Sequence, residues 1–299
     1  MAIDVAVVPV AGRGTRLLPL TKSQPKEMLP VGQKPVVQYV AEELALSGIE
    51  RLLFVTGPGK TAIENHFDIN EELVASLRES GHEELLCTLS FEREKLEYFY
   101  TRQRRQLGLG HAILCARPMV SQEPFVVALG DSIIGMHAKS TIVKRMTDLF
   151  EREKAGAVIA FETVPERDVV NYGIASVRRE MDGFFELDDL VEKPAVSEAP
   201  SQLAVAARYV FHPEIFDFLE RTAAGKGNEI QLTDAIGSMI RDGGRVLGVK
   251  LPETESRFDI GNFASYFRAF FEFALADPDH GAELLEIVKE HQARNGSSK

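Results

Sequence analysis

The sequence predicts an α/β protein with a Rossmann-like, mostly parallel central sheet and helices on both faces. Three observations lead there. Short apolar, β-branched runs alternate with longer amphipathic stretches along the 299 residues, the pattern that crossover connections between parallel strands produce. Several of these runs are apolar throughout, as strands buried on both faces are. The first run, Val5 to Val8, leads at once into a cationic, glycine-containing stretch, "PVAGRGTRLLPLTKSQPKEMLP" from Pro9 to Pro30, too broken by proline to be a helix.

In chain order, the expected strands are "VAVVPV", "RLLFVT" (Arg51 to Thr56), "LCTLSF" (Leu86 to Phe91), "PFVVALG" (Pro124 to Gly130), "GAVIAFETV" (Gly156 to Val164), "GIASV" (Gly173 to Val177), "VAARYVF" (Val205 to Phe211) and "RVLGVKL" (Arg245 to Leu251). Between them, "KPVVQYVAEELALSG", "KTAIENHF" and "KSTIVKRMTDLFEREKAG" carry helical spacing, and Gly48 is a natural stop for the first. Phe263 to His291 reads as helix with an aromatic stripe. Two segments are therefore expected: residues 1–262 as the main domain, and residues 263–299 as a helical tail packing on the core or on a partner subunit. Open sheets of this kind bind ligands beyond the carboxyl ends of their strands, where the opening loop lies.

Composition narrows the function. The formal net charge is −11, so the bulk surface repels nucleic acid. No apolar run is long enough to span a membrane. The start, "MAIDVAVVPV", lacks the pattern of a signal peptide and reads as the first strand. The two cysteines, Cys87 and Cys115, are expected as buried thiols rather than a bridge. A cytoplasmic protein fits these features.

In such an acidic chain, clustered positive charge is informative. "GRGTR" places Gly12 and Gly14 where the chain must turn and bring backbone N–H groups to an anion, and Arg13, Arg16, Lys22 and Lys26 add charge. A polyphosphate suits it. The dinucleotide fingerprint needs a third glycine where Leu17 stands, and a Walker A loop ending in "GPGKT" would need its first glycine at Phe54. "TGPGKT" therefore reads as a structural strand-to-helix turn.

The whole pattern is more specific. "AGRGTRLLPLTKSQPKEMLPVGQKPVVQYV" resembles the signature of sugar-1-phosphate nucleotidylyltransferases, in which G-x-G-T-R leads to P-K-x-x-L-P. "PKEMLP", "IENHFD", "GLGHAILCA", "NYGIASV", "VEKP" and "GNEIQLTDAI", in that order, resemble the bacterial members that act on UTP and glucose 1-phosphate. The likeness runs from about Val5 to Asn262. It implies a nucleotidyltransferase fold, a uridylyl transfer from UTP to glucose 1-phosphate that gives UDP-glucose and pyrophosphate, a Mg²⁺ cofactor, and self-association as a homodimer or homotetramer.

The resemblance also implies roles. Ala11 and Gly12 match backbone positions that contact the nucleoside. Gly14, Thr15 and Arg16 match positions facing the β- and γ-phosphates, with Arg16 steadying the leaving group. Lys26 lies on the phosphates beside the reacting centre, and Glu27 orients or pairs with it. Gln103 and Gly108 read the uracil edge, with Gln106 a rival to Gln103. His111 is expected to be structural. Asp131 and Asp259 together hold one Mg²⁺. Relatives carry proline before this aspartate, and Gly130 in its place loosens the backbone. At the sugar end, Gly173 presents its backbone to a hexose hydroxyl, Glu192 accepts from sugar hydroxyls, and Lys193 grips the sugar phosphate. Thr233 either caps a helix beginning near Asp234 or lines the sugar pocket. Ala207 stands where relatives often have glycine. Two alternatives stay open: the same chemistry with dTTP or CTP, and a non-catalytic or weakly active paralogue that binds sugar nucleotide and regulates a true enzyme.

Overall fold

A computed structural model describes residues 3–93 and 95–296. Its centre is a nine-stranded sheet. In chain order the strands are β1 (Val5–Pro9), β2 (Arg51–Thr56), β3 (Glu97–Arg102), β4 (Phe125–Ala128), β5 (Ala157–Thr163), β6 (Gly173–Met181), β7 (Phe184–Glu192), β8 (Leu203–Phe211) and β9 (Val246–Lys250). Across the sheet they run β3-β2-β1-β4-β8-β5-β9-β7-β6. The sheet is mixed rather than mostly parallel. The contacts β3/β2, β2/β1, β1/β4 and β5/β9 are parallel. Those that β8 makes with β4 and β5 are antiparallel, as are β9/β7 and β7/β6. The apolar β8 run fits a parallel or an antiparallel neighbour equally well, so its direction is set by connectivity alone.

Both faces are covered, and strand alternation divides the core. Ala6, Val8, Leu52 and Phe54 face helices α1 (Val36–Leu46) and α2 (Ile142–Glu153), through Val37, Val40, Leu44, Val143 and Met146. Val5, Val7, Leu53 and Val55 face the other way, in the cluster that α3 (Leu232–Arg241) joins through Ala235, Ile236 and Met239. A third cluster sets α4 (Phe263–Leu275) against the loop after β1: Tyr266, Ala269 and Phe273 pack with Leu17, Leu29, Tyr39, Phe258 and Ile260. The helix starts at a reciprocal cap between Asn262 and Ser265. The tail is helical as expected, in two helices, α4 and α5 (Gly281–Gly296), separated at Asp277–Pro278, where proline removes a helical donor.

Two further expectations, for Leu86 to Phe91 and for the cysteines, are corrected. Leu86 to Phe91 lies within a 3₁₀ segment, Glu83–Arg93, because a short apolar run does not by its period distinguish strand from helix; the edge strand is "EYFYTR" instead. The β6–β7 hairpin, with Gly183 at φ 79°, was signalled by the Asp-Gly pair that joins its strands. Cys87 is exposed and Cys115 half-buried, and both are free thiols. No described helix is long and apolar enough to cross a membrane.

Candidate active site

The segments that follow β1, β3 and β4 line one cleft of about 610 Å³. Ala11, Gly12, Gly14, Thr15, Arg16, Lys26, Glu27, Gln103, Gly108 and Asp131 all border it. These side chains come from three separate stretches of sequence, and the three parallel strands deliver them to one rim. Gly173, Glu192, Lys193 and Asp259 are not among its lining.

The floor is a chain of alternating charge. Lys26 pairs with Asp131. Glu27, 1% exposed, turns the opposite way and meets Lys60 Nζ at 2.8 Å. Lys60 lies in the "GPGKT" turn, so that turn is structural with respect to the cleft and still anchors its floor. Burial opposes the charge on Lys26, but Asp131 and Glu27 outweigh it and the ammonium is held above its ordinary pKa. Burial pushes the Asp131 carboxyl up, but Lys26 and the more distant Arg257 pull it below its usual range. For Glu27 burial wins over Lys60 and its pKa is raised. Gly12 faces Lys26 directly, since a Cβ there would sit 3.6 Å from Lys26 Cε. Arg16 reaches the opposite wall, where a Cβ on Gly261 would lie 3.4 Å from Arg16 Nη2.

At the other end of the cleft, the Gln103 amide nitrogen donates to Gly108 O at 3.0 Å and lies 3.0 Å from His111 Nδ1. That leaves its carbonyl oxygen to offer a ligand. His111 is a supporting residue, and burial lowers its pKa. Gly108 has φ 94°, and a Cβ there would meet Glu229 Cβ at 2.7 Å, so only glycine fits. Gln106 also borders the cleft, but its amide bridges Ala11 O at 2.6 Å and Arg13. It braces the glycine loop.

Asp131 and Asp259, 128 positions apart, meet through a small ladder. Ser132–Ile134 pairs antiparallel with Arg257–Asp259, placing Asp259 opposite Ser132, and Ile260 N donates to Asp131 O at 3.1 Å. The two carboxylates suit a hard divalent ion such as Mg²⁺, which takes one or two protein carboxylates and completes its shell with phosphates and water. No group of three or more metal-ligating side chains occurs among the described residues. Asp259 is already engaged: Oδ1 accepts from Gly261 N and from Ser265 Oγ at 3.3 Å, and Oδ2 lies 3.6 Å from Arg257 Nη1. Gly130 does not loosen this turn. A Cβ there would fall 2.5 Å from Val10 Cγ1, so the glycine lets the turn pack against the first loop.

The residues expected at the sugar end cluster with one another. Glu192 pairs in register with Gly173, and its Oε2 accepts from Thr233 Oγ1 at 3.0 Å. Thr233 is therefore not a helix cap; α3 begins at Leu232 with Gln231 before it, and no side chain caps it. Lys193, half-exposed, has φ 45° and its Nζ lies 2.8 Å from Glu192 Oε1. Two buried groups link this cluster to the cleft. Arg257 pairs with Glu162 and stacks 4.6 Å over Tyr172. Burial raises the Tyr209 hydroxyl pKa, and Glu192 and Asp131 reinforce it. Lys60, Arg257 and Glu229 were not singled out in the sequence. Arg257, two residues before Asp259 in "SRFDIGN", carried the one local signal.

With this geometry in hand, comparison with known proteins is direct. The nucleotidyl transferase family model matches residues 5–274. A UTP–glucose-1-phosphate uridylyltransferase of Staphylococcus haemolyticus is 42% identical over 289 residues, covering 96% of this chain and 98% of the relative. The UTP-bound UGPase of Acinetobacter baumannii superposes with a TM-score of 0.86 at 37% identity, over 96% of this chain and 99% of that one. A UDP-glucose pyrophosphorylase complexed with UDP-glucose gives 0.81 at 35%, over 91% and 98%. The match of the family model to residues 5–274, with relatives and solved structures alike over nearly the full length, shows that the chain belongs to the nucleotidyl transferase family.

Proposed function

We infer that the protein transfers the uridylyl group of UTP to glucose 1-phosphate, releasing pyrophosphate and giving UDP-glucose. The observation that carries this is the meeting of Arg16, Lys26, Asp131, Gln103 and Gly108 in one cleft, together with relatives whose structures hold UTP and UDP-glucose.

The sugar phosphate oxygen that attacks the α-phosphorus is already anionic at neutral pH, so the site needs no general base. It must overcome repulsion between two polyanions and stabilise the leaving pyrophosphate; positioning and fixed charge supply most of the barrier reduction. Backbone N–H groups from Ala11 to Thr15 wrap the triphosphate, and Arg16 takes up charge on the pyrophosphate. Lys26, released from Asp131, moves onto the phosphates at the reacting centre. Asp131 and Asp259 would hold Mg²⁺, which would supply positive charge to offset that of the phosphates. The Gln103 carbonyl accepts from uracil N3–H, and the Gly108 backbone flanks the base edge. Glu192 and Gly173 receive hexose hydroxyls, and Lys193 grips the sugar phosphate. The aromatic side chains left exposed on α4, Phe267, Phe270 and Phe271, are the surface proposed for a second copy. The protein is proposed to work in the cytoplasm.

Pyrophosphate release measured with UTP, dTTP and CTP against glucose 1-phosphate tests the assignment. UTP is expected to be the preferred nucleotide. Equal turnover with dTTP would remove the uridine assignment. Binding of UDP-glucose without any turnover in Mg²⁺ would favour the regulatory paralogue.

A further inference from the structure

Arg208 and Glu43 form an ion pair in which both side chains are fully buried. Arg208 stands in the otherwise apolar strand β8, and Glu43 comes from α1. The contact is bidentate: Nε to Oε1 at 3.1 Å and Nη2 to Oε2 at 2.6 Å. Packing alone does not call for charge here, because apolar residues of similar volume often replace a buried pair without loss of stability.

What distinguishes this pair is where the remaining donors go. Arg208 Nη2 donates to Ser132 O at 2.8 Å, directly after Asp131. Nη1 donates to Ala207 O at 3.1 Å, and that same oxygen accepts from Leu129 N at 3.1 Å. Ala207 has φ 60° and lies where the β8–β5 register shifts. This is a costly conformation for alanine, and it aims its carbonyl at both donors. The guanidinium thus holds one end of the turn Leu129–Ser132 directly, at Ser132 O, and reaches the other through Ala207 O, the acceptor it shares with Leu129 N. From the front, Ile260 N holds the Asp131 carbonyl.

We propose that the Arg208–Glu43 pair is a positioning device for Asp131, fixing the turn that presents this carboxylate to the cleft and so setting the enzyme's affinity for its divalent cation. The inference rests on the reading of Asp131 as a metal ligand. Loss of an outer partner of a metal ligand typically weakens metal binding ten- to a hundredfold.

The test uses the full-length protein, Mn²⁺ as the probe and UTP at saturation. Water-proton relaxation enhancement separates enzyme-bound Mn²⁺ from free Mn²⁺–UTP. Thermal unfolding is followed in parallel. The double variant Arg208→Met/Glu43→Leu is expected to unfold near the wild-type temperature yet to bind Mn²⁺ about tenfold more weakly, with a matching rise in the Mg²⁺ needed for half-maximal turnover. Arg208→Lys keeps the charge but loses the fork, and it should weaken Mn²⁺ binding in the same direction should the double variant not fold. Wild-type Mn²⁺ affinity in either variant, while Asp131→Asn has lost it, overturns the inference and leaves the reading of Asp131 intact. Wild-type affinity in Asp131→Asn itself overturns both.

Discussion

The two sides of the proposed reaction centre are built differently. On the nucleotide side, opposite charges are paired beneath the cleft: Lys26 with Asp131, and Glu27 with Lys60, the latter pair almost wholly buried. On the sugar side, Lys193 and Glu192 pair at 2.8 Å with the lysine half in solvent. There the shape comes from close backbone approach. A Cβ on Gly173 would lie 2.8 Å from Thr233 Cγ2 and 3.6 Å from Glu192 Oε2. The difference teaches where each part of the work is done. Buried charge is little screened, and the Glu27–Lys60 pair beneath Lys26 is in place before the triphosphate arrives. An exposed lysine attracts and holds a phosphate but is screened by salt.

Substitutions that treat the two sides alike will break or sharpen this comparison. The largest effect is expected at Lys26→Met, with kcat falling by roughly 10²- to 10³-fold, the scale for losing one group aimed at transition-state charge. Lys193→Ala, by contrast, is expected to raise KM for glucose 1-phosphate about tenfold, the scale of one charge-assisted hydrogen bond, while KM for UTP holds. Steady-state kinetics in both substrates decides; a Lys193 variant that loses kcat as Lys26→Met does would show the sides to be equivalent.

A smaller effect is expected at Gly173→Ala. The added methyl has no room, and overpacking of this kind costs about 1–3 kcal/mol in stability. Thr233→Ser removes the obstructing Cγ2 while keeping the hydroxyl bonded to Glu192, so the double variant should recover both denaturation midpoint and sugar KM. Failure to recover would mean that the sugar side is not set by this contact.

The smallest effect concerns pH. Burial lowers the His111 pKa, so the ring is neutral at pH 7 and its Nδ1 accepts from Gln103. Raising the pH above 7 changes nothing there. Falling pH eventually protonates Nδ1, turns it into a donor against the Gln103 amide, and should weaken UTP binding only at pH values below the ordinary histidine range. Calorimetric UTP titration from pH 5.5 to 8 reads this, and a His111→Asn variant should flatten the acid limb.

Much of the fold and the cleft was legible in the residues themselves. The apolar runs and the helical spacing located most strands of the sheet, and "GRGTR", "PKEMLP" and the glycine at position 108 marked the cleft. The β6–β7 hairpin is legible in Asp182–Gly183. Lys60 was read as part of a turn because nothing local shows that Glu27, 33 positions away, comes to lie against it. Arg208 gave a visible anomaly, a charge inside an apolar strand, but not its partner.

Local sequence determined what each segment is, because backbone propensity and hydrophobic period act over a few residues. It set the cationic glycine loop, the apolar strands and the residue types a phosphate site needs. Only the tertiary structure decided which charges meet. The direction of β8, the ladder joining Asp131 to Asp259, and the pairs Lys26–Asp131, Lys60–Glu27 and Arg208–Glu43 depend on chain crossings that bring distant residues within a few ångströms. Electrostatic energy at such distances depends on separation and burial, and neither quantity is written in the order of the residues.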